Sequence, residues 1–301
     1  MTRLPKLAVA ALTAVALMAA TASSARIEAV VLGIAQDGGV PHLGCRQKLC
    51  VEARRDPSKR RHVASLGLID RISGKRFLID ATPDFEQQVS RLGGLPDGIL
   101  LTHAHIGHYM GLAQLGREVA NVRGMPVFCT PSMARFLREN RPWSRLVLVG
   151  NIAIHEIEPD KEFTLTDSLR AIALRVPHRD EDSDTVAYVV AGPSRKLLWL
   201  PDIDKWEKWE RRIVDVLRTV DAAFLDGTFF SADEIPGRSI AEIPHPLVPE
   251  TVSRLRNEGL AARVFFVHLN HTNRLLWDKQ EVRRLREKGY GVASEGQRFP
   301  L

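Results

Sequence analysis

Three histidines fall within six positions of one another, directly after an apolar run that is typical of a buried strand. The run is Ile99–Leu101, and the histidines are His103, His105 and His108. A turn after a rigid strand can direct the first two to one point and the third to an adjacent point. Neutral imidazole is the commonest ligand of transition metals, and ten histidines scattered over 301 residues would seldom cluster in this way. The segment therefore predicts a metal site, with a bland surface cluster as the alternative.

Residues 1–25 have the pattern of a secretory signal peptide and are excluded from the predicted fold. Arg3 and Lys6 form a positive start, and residues 7–20 are apolar. The small residues Ala22–Ala25 follow, and cleavage is expected after Ala25. The apolar run is short for a membrane span, which favours a cleaved signal peptide over the alternative, an uncleaved anchor. We expect a mature single domain, residues 26–301, that works in the periplasm or outside the cell.

The charge and hydropathy of the full chain are those of a globular protein. The apolar fraction is 45%, and no later segment is long enough to cross a bilayer. The net charge is +6, and the basic residues are spread in short groups such as Lys59–Arg61. Because no basic run is interleaved with aromatic side chains, we expect a small-molecule substrate, no nucleic-acid partner and no membrane partner after signal cleavage. The sequence leaves the oligomeric state open.

The three cysteines, Cys45, Cys50 and Cys129, have different predicted roles. In an oxidising compartment Cys45 and Cys50 can form a small disulfide or remain free thiols. A structural metal held together with His42 is a weaker alternative, because no fourth ligand is visible. Cys129 ends an apolar stretch and is expected to be a small buried hydrophobe.

Short apolar or β-branched runs recur along the whole chain and predict strands. Helical spacing lies between some of them, as in Leu112, Leu115 and Val119, and a tryptophan stripe from Trp206 to Val220 predicts one helix of four turns that packs on the core. Hairpin-like pairs mixed with strand–helix units fit an α/β fold of two sheets between outer helices. The predicted strands are 27–34, 63–69, 77–79, 99–101, 127–129, 152–157, 169–176, 186–190, 196–200, 222–225 and 264–268.

Further candidate ligands fall where other predicted strands end. His178 follows an apolar strand and can complete a three-histidine site with His103 and His105; a solvated loop histidine is the alternative. Asp202 also follows a strand, and a carboxylate there can bridge two metals or complete a tetrahedral site. Asp204 is the competing ligand, but we interpret it as the N-cap of the tryptophan-striped helix.

The last predicted strand and the strand before Asp80 add three more candidates. His268 ends its strand and is predicted to be a ligand. His271 is expected to contact the metal ligands from outside, to contact the substrate, or simply to lie in the loop. Asp80 is a candidate to orient a ligating histidine by accepting its second N–H. A turn aspartate ahead of Pro83 is the alternative for Asp80.

Taken in chain order, these residues resemble the pattern of the metallo-β-lactamase superfamily. The resemblance implies a four-layer αββα sandwich with the site at one edge of the two sheets, and metal-activated water, usually at zinc. Iron or manganese remains possible. The matching residues are Asp80, His103, His105, His108, His178, Asp202 and His268.

Within the superfamily the chain looks most like pyrroloquinoline-quinone biosynthesis protein B and its relatives. The secretory start and the sparse N-terminal cysteines depart from that pattern and favour a different substrate. The phrases that carry the similarity are Val31–Ala35 with Gly38–Gly39, Asp80–Asp84, Val176–His178, Asp226–Phe229 and His268–Asn273.

A second resemblance, to the phosphodiesterase members such as ribonuclease Z and the cyclic-phosphate phosphodiesterases, concerns Asp226 and His245. It implies that Asp226 holds His245 as an imidazolium, which would protonate a leaving oxygen, while Asp202 orients the attacking water. The alternative for His245 is plain packing in a proline-rich loop.

Position 107 departs from the superfamily pattern, in which an aspartate there binds the second metal. Gly107 has no side chain, so we expect one firmly bound metal, a weak or absent second metal and reduced turnover; glycine also leaves room for a substrate. The favoured function is a secreted metal-dependent hydrolase of an ester-like or phosphodiester substrate. The alternatives are an iron-dependent oxidative enzyme and a catalytically weakened periplasmic metal-dependent binding protein.

Overall fold

The computed structural model describes residues 25–234 and 243–301. The predicted signal peptide, apart from its last residue, therefore lies outside the described residues, as does part of the proline-rich loop before His245. Among the described residues, no helix has both the length and the apolar character that a membrane span requires.

The described chain forms two seven-stranded mixed sheets. Every strand predicted from the sequence is present, and three short strands (β7, β13 and β14) are additional. In chain order the strands are β1 Ile27–Gly33, β2 Ser65–Asp70, β3 Lys75–Ile79, β4 Gly98–Leu100, β5 Met125–Cys129, β6 Ile152–Glu156, β7 Glu162–Thr166, β8 Leu169–Val176, β9 Thr185–Ala191, β10 Lys196–Leu200, β11 Ala222–Asp226, β12 Val264–Val267, β13 Gly291–Val292 and β14 Arg298–Pro300.

The two sheets have the same plan. The first runs β14-β1-β2-β3-β4-β5-β6, and the second runs β13-β12-β11-β10-β9-β8-β7. In the first, β3 to β6 are parallel neighbours, and in the second, β10 to β13 are. Because parallel strands end at the same edge of a sheet, residues that follow β3 and β4, or β10, β11 and β12, are brought together.

Alternation along the strands explains the layers. In β1, Ile27, Ala29 and Val31 face the core between the sheets, while Val30 and Leu32 face the outer core of the first sheet. Similarly, Leu197 and Trp199 of β10 face inward and Leu198 and Leu200 face the outer core of the second sheet. A strand buried on both faces carries mostly apolar residues, which is why these runs are nearly continuous; the exception in β1, Glu28, is paired with Arg71 and Arg298.

Helices cover both outer faces, so the four-layer αββα sandwich expected from the sequence is confirmed. Phe85 and Leu137 pack on the first sheet, and Ile213, Val248 and Leu285 pack on the second. The α-helices are α1 Lys48–Arg55, α2 Phe85–Leu92, α3 Ile106–Tyr109, α4 Pro131–Glu139, α5 Trp143–Leu148, α6 Ile213–Leu217, α7 Val248–Arg254 and α8 Lys279–Glu287.

The tryptophan stripe packs on the core as predicted, but it does not form one helix. A 3₁₀ turn covers Trp206–Lys208, the chain is extended at Trp209, and α6 begins only at Ile213. The two indoles anchor separately: Trp206 donates its Nε1 hydrogen to Thr251 Oγ1 and Trp209 donates to the backbone oxygen of Arg175, both at 2.9 Å. These two long-range hydrogen bonds satisfy the buried indole N–H groups and override the helical spacing.

Two related predictions are also corrected. Asp204 is not the N-cap of a long helix: Lys205 precedes the 3₁₀ turn, and the Asp204 carboxylate accepts from the Lys205 backbone N–H and the Lys208 ammonium. The segment around Leu112 is a 3₁₀ helix, Met110–Leu115, that ends before Val119, which is 67% exposed.

All three cysteines are free thiols, which was one of the outcomes left open for Cys45 and Cys50. The Cys50 sulfur accepts a hydrogen bond from the backbone N–H of His42 at 3.4 Å. Cys129 is fully buried as predicted, and burial raises its pKa to about 12, so it is an inert hydrophobic thiol.

Candidate metal centre

The carboxyl ends of the parallel strands in both sheets meet at one edge, and the predicted ligands lie there together. His103, His105 and His108 follow β4, whereas His178, Asp202 and His268 follow β8, β10 and β12 of the other sheet. Hydrogen bonds join the sheets beside the site: the Tyr188 hydroxyl donates to the Leu101 oxygen at 2.7 Å, and the Val186 N–H donates to the Thr102 oxygen at 3.1 Å. All six predicted ligands thus belong to one two-sided cluster.

The first group of potential ligand atoms comes from His103, His105 and His178, whose atoms lie within 4.8 Å of one another. Nε2 of His103 is 2.9 Å from Nδ1 of His105. Nε2 of His105 contacts the carboxylate of Glu181 at 3.1 Å, which fixes the other side of that ring. Three imidazoles directed at one point are the ligand set of many tetrahedral zinc sites.

Asp202 lies between the histidines and is almost fully buried. Its Oδ2 is 3.0 Å from His108 Nε2, 3.2 Å from His268 Nε2 and 3.6 Å from His103 Nε2. Its Oδ1 is 3.7 Å from His178 Nε2. Ligands of a tetrahedral zinc ion are about 3.4 Å apart, so these separations fit a carboxylate that bridges two metal positions.

The second group contains His108, His268 and a residue that the sequence reasoning missed, Asp37. Asp37 Oδ1 is 3.5 Å from His108 Nε2 and 3.8 Å from His268 Nε2. The premise that the glycine at position 107 leaves this group without a carboxylate of its own is therefore wrong. Asp37 lies four residues after β1 ends at Gly33, so a search for polar residues slightly further past the strand ends would have found it.

Asp80 orients histidines of the first sheet, as predicted. Its Oδ2 accepts from His108 Nδ1 at 2.8 Å, and its Oδ1 accepts from the Thr102 backbone N–H at 2.9 Å and hydroxyl at 3.0 Å. Because the Thr102 hydroxyl donates to Asp80, it accepts from His103 Nδ1, also 3.0 Å away. These bonds place the Nδ1 hydrogens away from the centre and leave the Nε2 lone pair of His103 free for a metal. Burial alone would lower the pKa of His108, but Asp80 and Asp202 raise it well above its usual value, so a metal would have to displace a proton from His108 Nε2.

The same arrangement recurs in the second sheet with Asp226 and Thr228. Asp226 Oδ1 accepts from the Thr228 backbone N–H and hydroxyl, at 2.8 and 2.7 Å. The Thr228 hydroxyl then accepts from His268 Nδ1 at 3.0 Å, which leaves the Nε2 lone pair of His268 free for a metal. The sequence predicts no role for Thr228, and only the structure shows that Asp226 and Thr228 together orient His268.

His245 is brought to this site and does not simply pack in its loop. Its Nδ1 lies 2.8 Å from Asp226 Oδ2 and 3.5 Å from Asp202 Oδ1, and the ring is buried. His271 is placed outside the ligand groups, where it stacks on His42 with ring centroids 4.2 Å apart. Burial and the neighbouring His42 lower the pKa of His271 to about 4.

The protonation states divide the histidines by role. Burial lowers the pKa of His178 to about 4 and, together with His108, holds the pKa of His103 well below its usual value, so both are neutral ligands. Burial alone would raise the pKa of Asp202, but His268 and His178 hold it well below its usual range. Burial opposes protonation of His245 too, yet Asp226 raises its pKa above the ordinary value.

The cluster has the chemistry of a metal centre. Several of its buried polar atoms have no hydrogen-bond partner within the described part of the chain, and an unpaired buried polar atom is destabilising unless another ligand satisfies it. These atoms are Asp37 Oδ1, His108 Nε2, both ring nitrogens of His178 and His268 Nε2. Nitrogen and carboxylate oxygen donors of this kind suit zinc, iron or manganese.

Comparisons with known proteins agree with this fold. Coenzyme PQQ synthesis protein B of Rhizobium meliloti is 25% identical over 303 residues, which cover 90% of this chain and 97% of that protein. The crystal structure of Zn(2+)-bound PqqB from Methylobacterium extorquens has a TM-score of 0.74 and 21% identity, and covers 91% of this chain and 100% of the other. A structure described as a new diphosphatase from the PhnP family has a TM-score of 0.65 at 24% identity, and covers 91% of this chain and 96% of the other.

A family model described as the beta-lactamase superfamily domain matches residues 75–269, which contain most of both sheets and all the predicted ligands. The chain therefore belongs to the beta-lactamase superfamily, and its sequence is similar to that of PQQ synthesis protein B over most of its length.

Proposed function

We propose that the protein is a metal-dependent hydrolase that acts on an ester-like or phosphodiester substrate. The observation that carries the proposal is the buried pair of His245 and Asp226 beside Asp202: a proton donor lies at a site that can also hold metal. A site that only stored or sensed a metal would have no need of a protonated histidine next to the ligands.

The histidines His103, His105 and His178, together with Asp202, would hold the metal, with zinc expected and iron or manganese as alternatives. When bound, such an ion lowers the pKa of water from about 16 towards about 7 and polarises the electrophile. The two neutral histidines, His103 and His178, need lose no proton to act as ligands.

The residues of the chain then divide the remaining work. Asp202, ionised and central, orients the attacking water through its carboxylate oxygens. His245, protonated because of Asp226, donates a proton to the leaving oxygen, so that the alcohol or phosphate leaves as a neutral or less charged group. The attacking water releases a proton as its oxygen bonds to the electrophile, and this proton returns to His245 through solvent. Asp226 favours the return because its carboxylate stabilises the imidazolium.

A hydrolysis screen of the metal-loaded protein tests this proposal. Phosphodiesters, thioesters and lactams would be offered, and at least one class should be hydrolysed by the wild type and by His155→Ala, an exposed histidine of β6 that serves as the control. His245→Ala should lose about 10²-fold or more of that activity while it keeps its metal. Silence across all classes, with stabilisation by a compound that is not turned over, would indicate a binding protein instead.

We also propose that the chain is exported and begins at Arg26 after cleavage. In support, the backbone oxygen of Arg26 accepts from the Arg71 N–H at 2.8 Å, so cleavage after residue 25 leaves β1 and this bond intact. Expression in a cell with two membranes should yield periplasmic protein whose N-terminal sequence starts at Arg26. Recovery of the full chain from the cytosol would contradict export.

A further inference from the structure

The space beside Gly107 is filled by another residue of the metal centre. A Cβ atom added to Gly107 would lie 2.1 Å from Asp37 Oδ1, 2.9 Å from Asp37 Cγ and 2.8 Å from Asp37 Cα. No side chain of any size can coexist with Asp37 in this position. A side chain at position 107 and Asp37 in its present place therefore exclude each other.

Asp37 uses this space to reach the ligands of the second group. Asp37 Oδ1 lies where a side chain at position 107 would begin. The same oxygen faces His108 Nε2 at 3.5 Å and His268 Nε2 at 3.8 Å. It is buried, and no donor among the described residues binds it.

The backbone around Asp37 is held by both sheets. The turn Gln36–Gly39 is closed by a bond from Gly39 N–H to the Gln36 oxygen at 2.8 Å, and Gly39 has a φ of +62°. The Gln36 N–H donates to the Leu269 oxygen at 3.0 Å, and the Leu269 N–H donates to the Ile34 oxygen at 2.8 Å. The turn is thus fixed to the residue that follows the ligand His268, and its position is set by the same strand end.

We propose that Asp37 is a metal ligand, which supplies from the loop after β1 the carboxylate that the superfamily pattern carries at position 107. The second metal position then consists of Asp37, His108, His268 and the shared Asp202. With two carboxylates and two imidazoles it suits a divalent ion such as zinc, manganese or iron, and it is as complete as the first position. This inference rests on the metal centre of the proposed function, not on its substrate or its reaction.

Zinc stoichiometry tests the assignment without any activity measurement. Wild-type protein, dialysed against buffered zinc and analysed for metal, should bind two equivalents. Asp37→Ala and the isosteric Asp37→Asn should each retain one, while Asp167→Ala, an exposed aspartate in the turn between β7 and β8, should retain two. Thermal melts would confirm that each variant is folded, and Asp37→Asn keeps the volume of the side chain if Asp37→Ala does not fold.

Gly107→Ala provides an independent test, because it removes no donor atom. The added methyl group should displace Asp37 and lower the affinity for the second equivalent at least about tenfold, with the first unaffected. Two equivalents bound with wild-type affinity by the Asp37 variants, or a single equivalent in the wild type at saturating zinc, would overturn the assignment. If the stoichiometries are as expected but no substrate is hydrolysed, Asp37 remains a ligand and only the proposed function fails.

Discussion

Asp226 Oδ2 lies 2.8 Å from His245 Nδ1, and both side chains are buried at the edge where the two sheets meet. The same carboxylate accepts from the Ile203 backbone N–H at 3.1 Å, one residue after the bridging Asp202. Asp226 therefore connects His245 to the loop that carries Asp202.

The pH dependence of turnover should report the protonation of His245. Because Asp226 raises the pKa of His245 against the effect of burial, the imidazolium persists to a higher pH than that of an ordinary histidine and is lost as pH rises through the raised pKa. Turnover should therefore fall on the alkaline side. In Asp226→Asn the pKa of His245 should drop, and the fall should move to lower pH while the metal content is unchanged. An alkaline limb at the same pH in both proteins would assign it to another group.

Removal of a ligand of the first group should remove tight metal binding. His103→Ala and His178→Ala each delete a neutral imidazole that is 1% exposed and directed at the centre. Metal analysis after gentle purification should show the loss of one equivalent relative to wild type. His155→Ala should keep the wild-type content. Full metal content in both site variants would show that the first group is assigned incorrectly.

Asp80→Asn should weaken metal binding without removing a ligand. Asp80 positions His108 directly and His103 through Thr102, and the loss of such a supporting carboxylate typically lowers metal affinity about 10- to 100-fold. Asparagine is the appropriate replacement, because Asp80 has a φ of +68° and asparagine tolerates that conformation. Competition with a chromophoric zinc chelator would measure the change. An unchanged zinc affinity would show that Asp80 is only a turn residue and does not support the ligands.

The metal-free protein should lose stability as the solution is acidified below the ordinary histidine range. His178 titrates near 6.5 when unfolded, but burial lowers its pKa to about 4 in the folded chain, so the unfolded state binds more protons between those values. At 1.36 kcal/mol per pKa unit, His178 contributes about 3 kcal/mol that is present above pH 6.5 and lost as pH falls towards 4. Urea unfolding across this range should show a shallower pH dependence in His178→Gln than in wild type. Equal slopes would contradict the assignment.

The strands and most of the site were predictable because both depend on local sequence. A strand buried on both faces must be apolar throughout, so Leu197–Leu200 and Ala222–Leu225 were recognisable without any knowledge of their neighbours. Asp202 and His268 interrupt such runs with groups that a buried strand end would not tolerate without a partner. Polar residues at these positions therefore indicated the centre before the sheets were known.

The features that the sequence did not reveal depend on contacts between distant segments. The spacing from Trp206 to Val220 suits a helix, but the indole N–H groups find acceptors on β8 and α7, and the chain extends to reach them. Asp37 is likewise far in sequence from Gly107, and only the docking of the β1 loop against α3 shows that one fills the space of the other. No local pattern encodes an exchange of this kind.

Two Asp–Thr pairs orient the histidines, and they belong to different sheets: Asp80 with Thr102 in the first, and Asp226 with Thr228 in the second. The histidines that they orient are divided between the sheets in the same way. Each metal position draws donors from both halves of the molecule: His103 and His178 across the first, His108 and His268 across the second. A bound ion would thus hold the two sheets together, because its ligands come from both. Chelation should then weaken the contact between the sheets and leave each sheet intact. Hydrogen exchange at Val186, whose N–H donates to the Thr102 oxygen of the other sheet at 3.1 Å, would show this first.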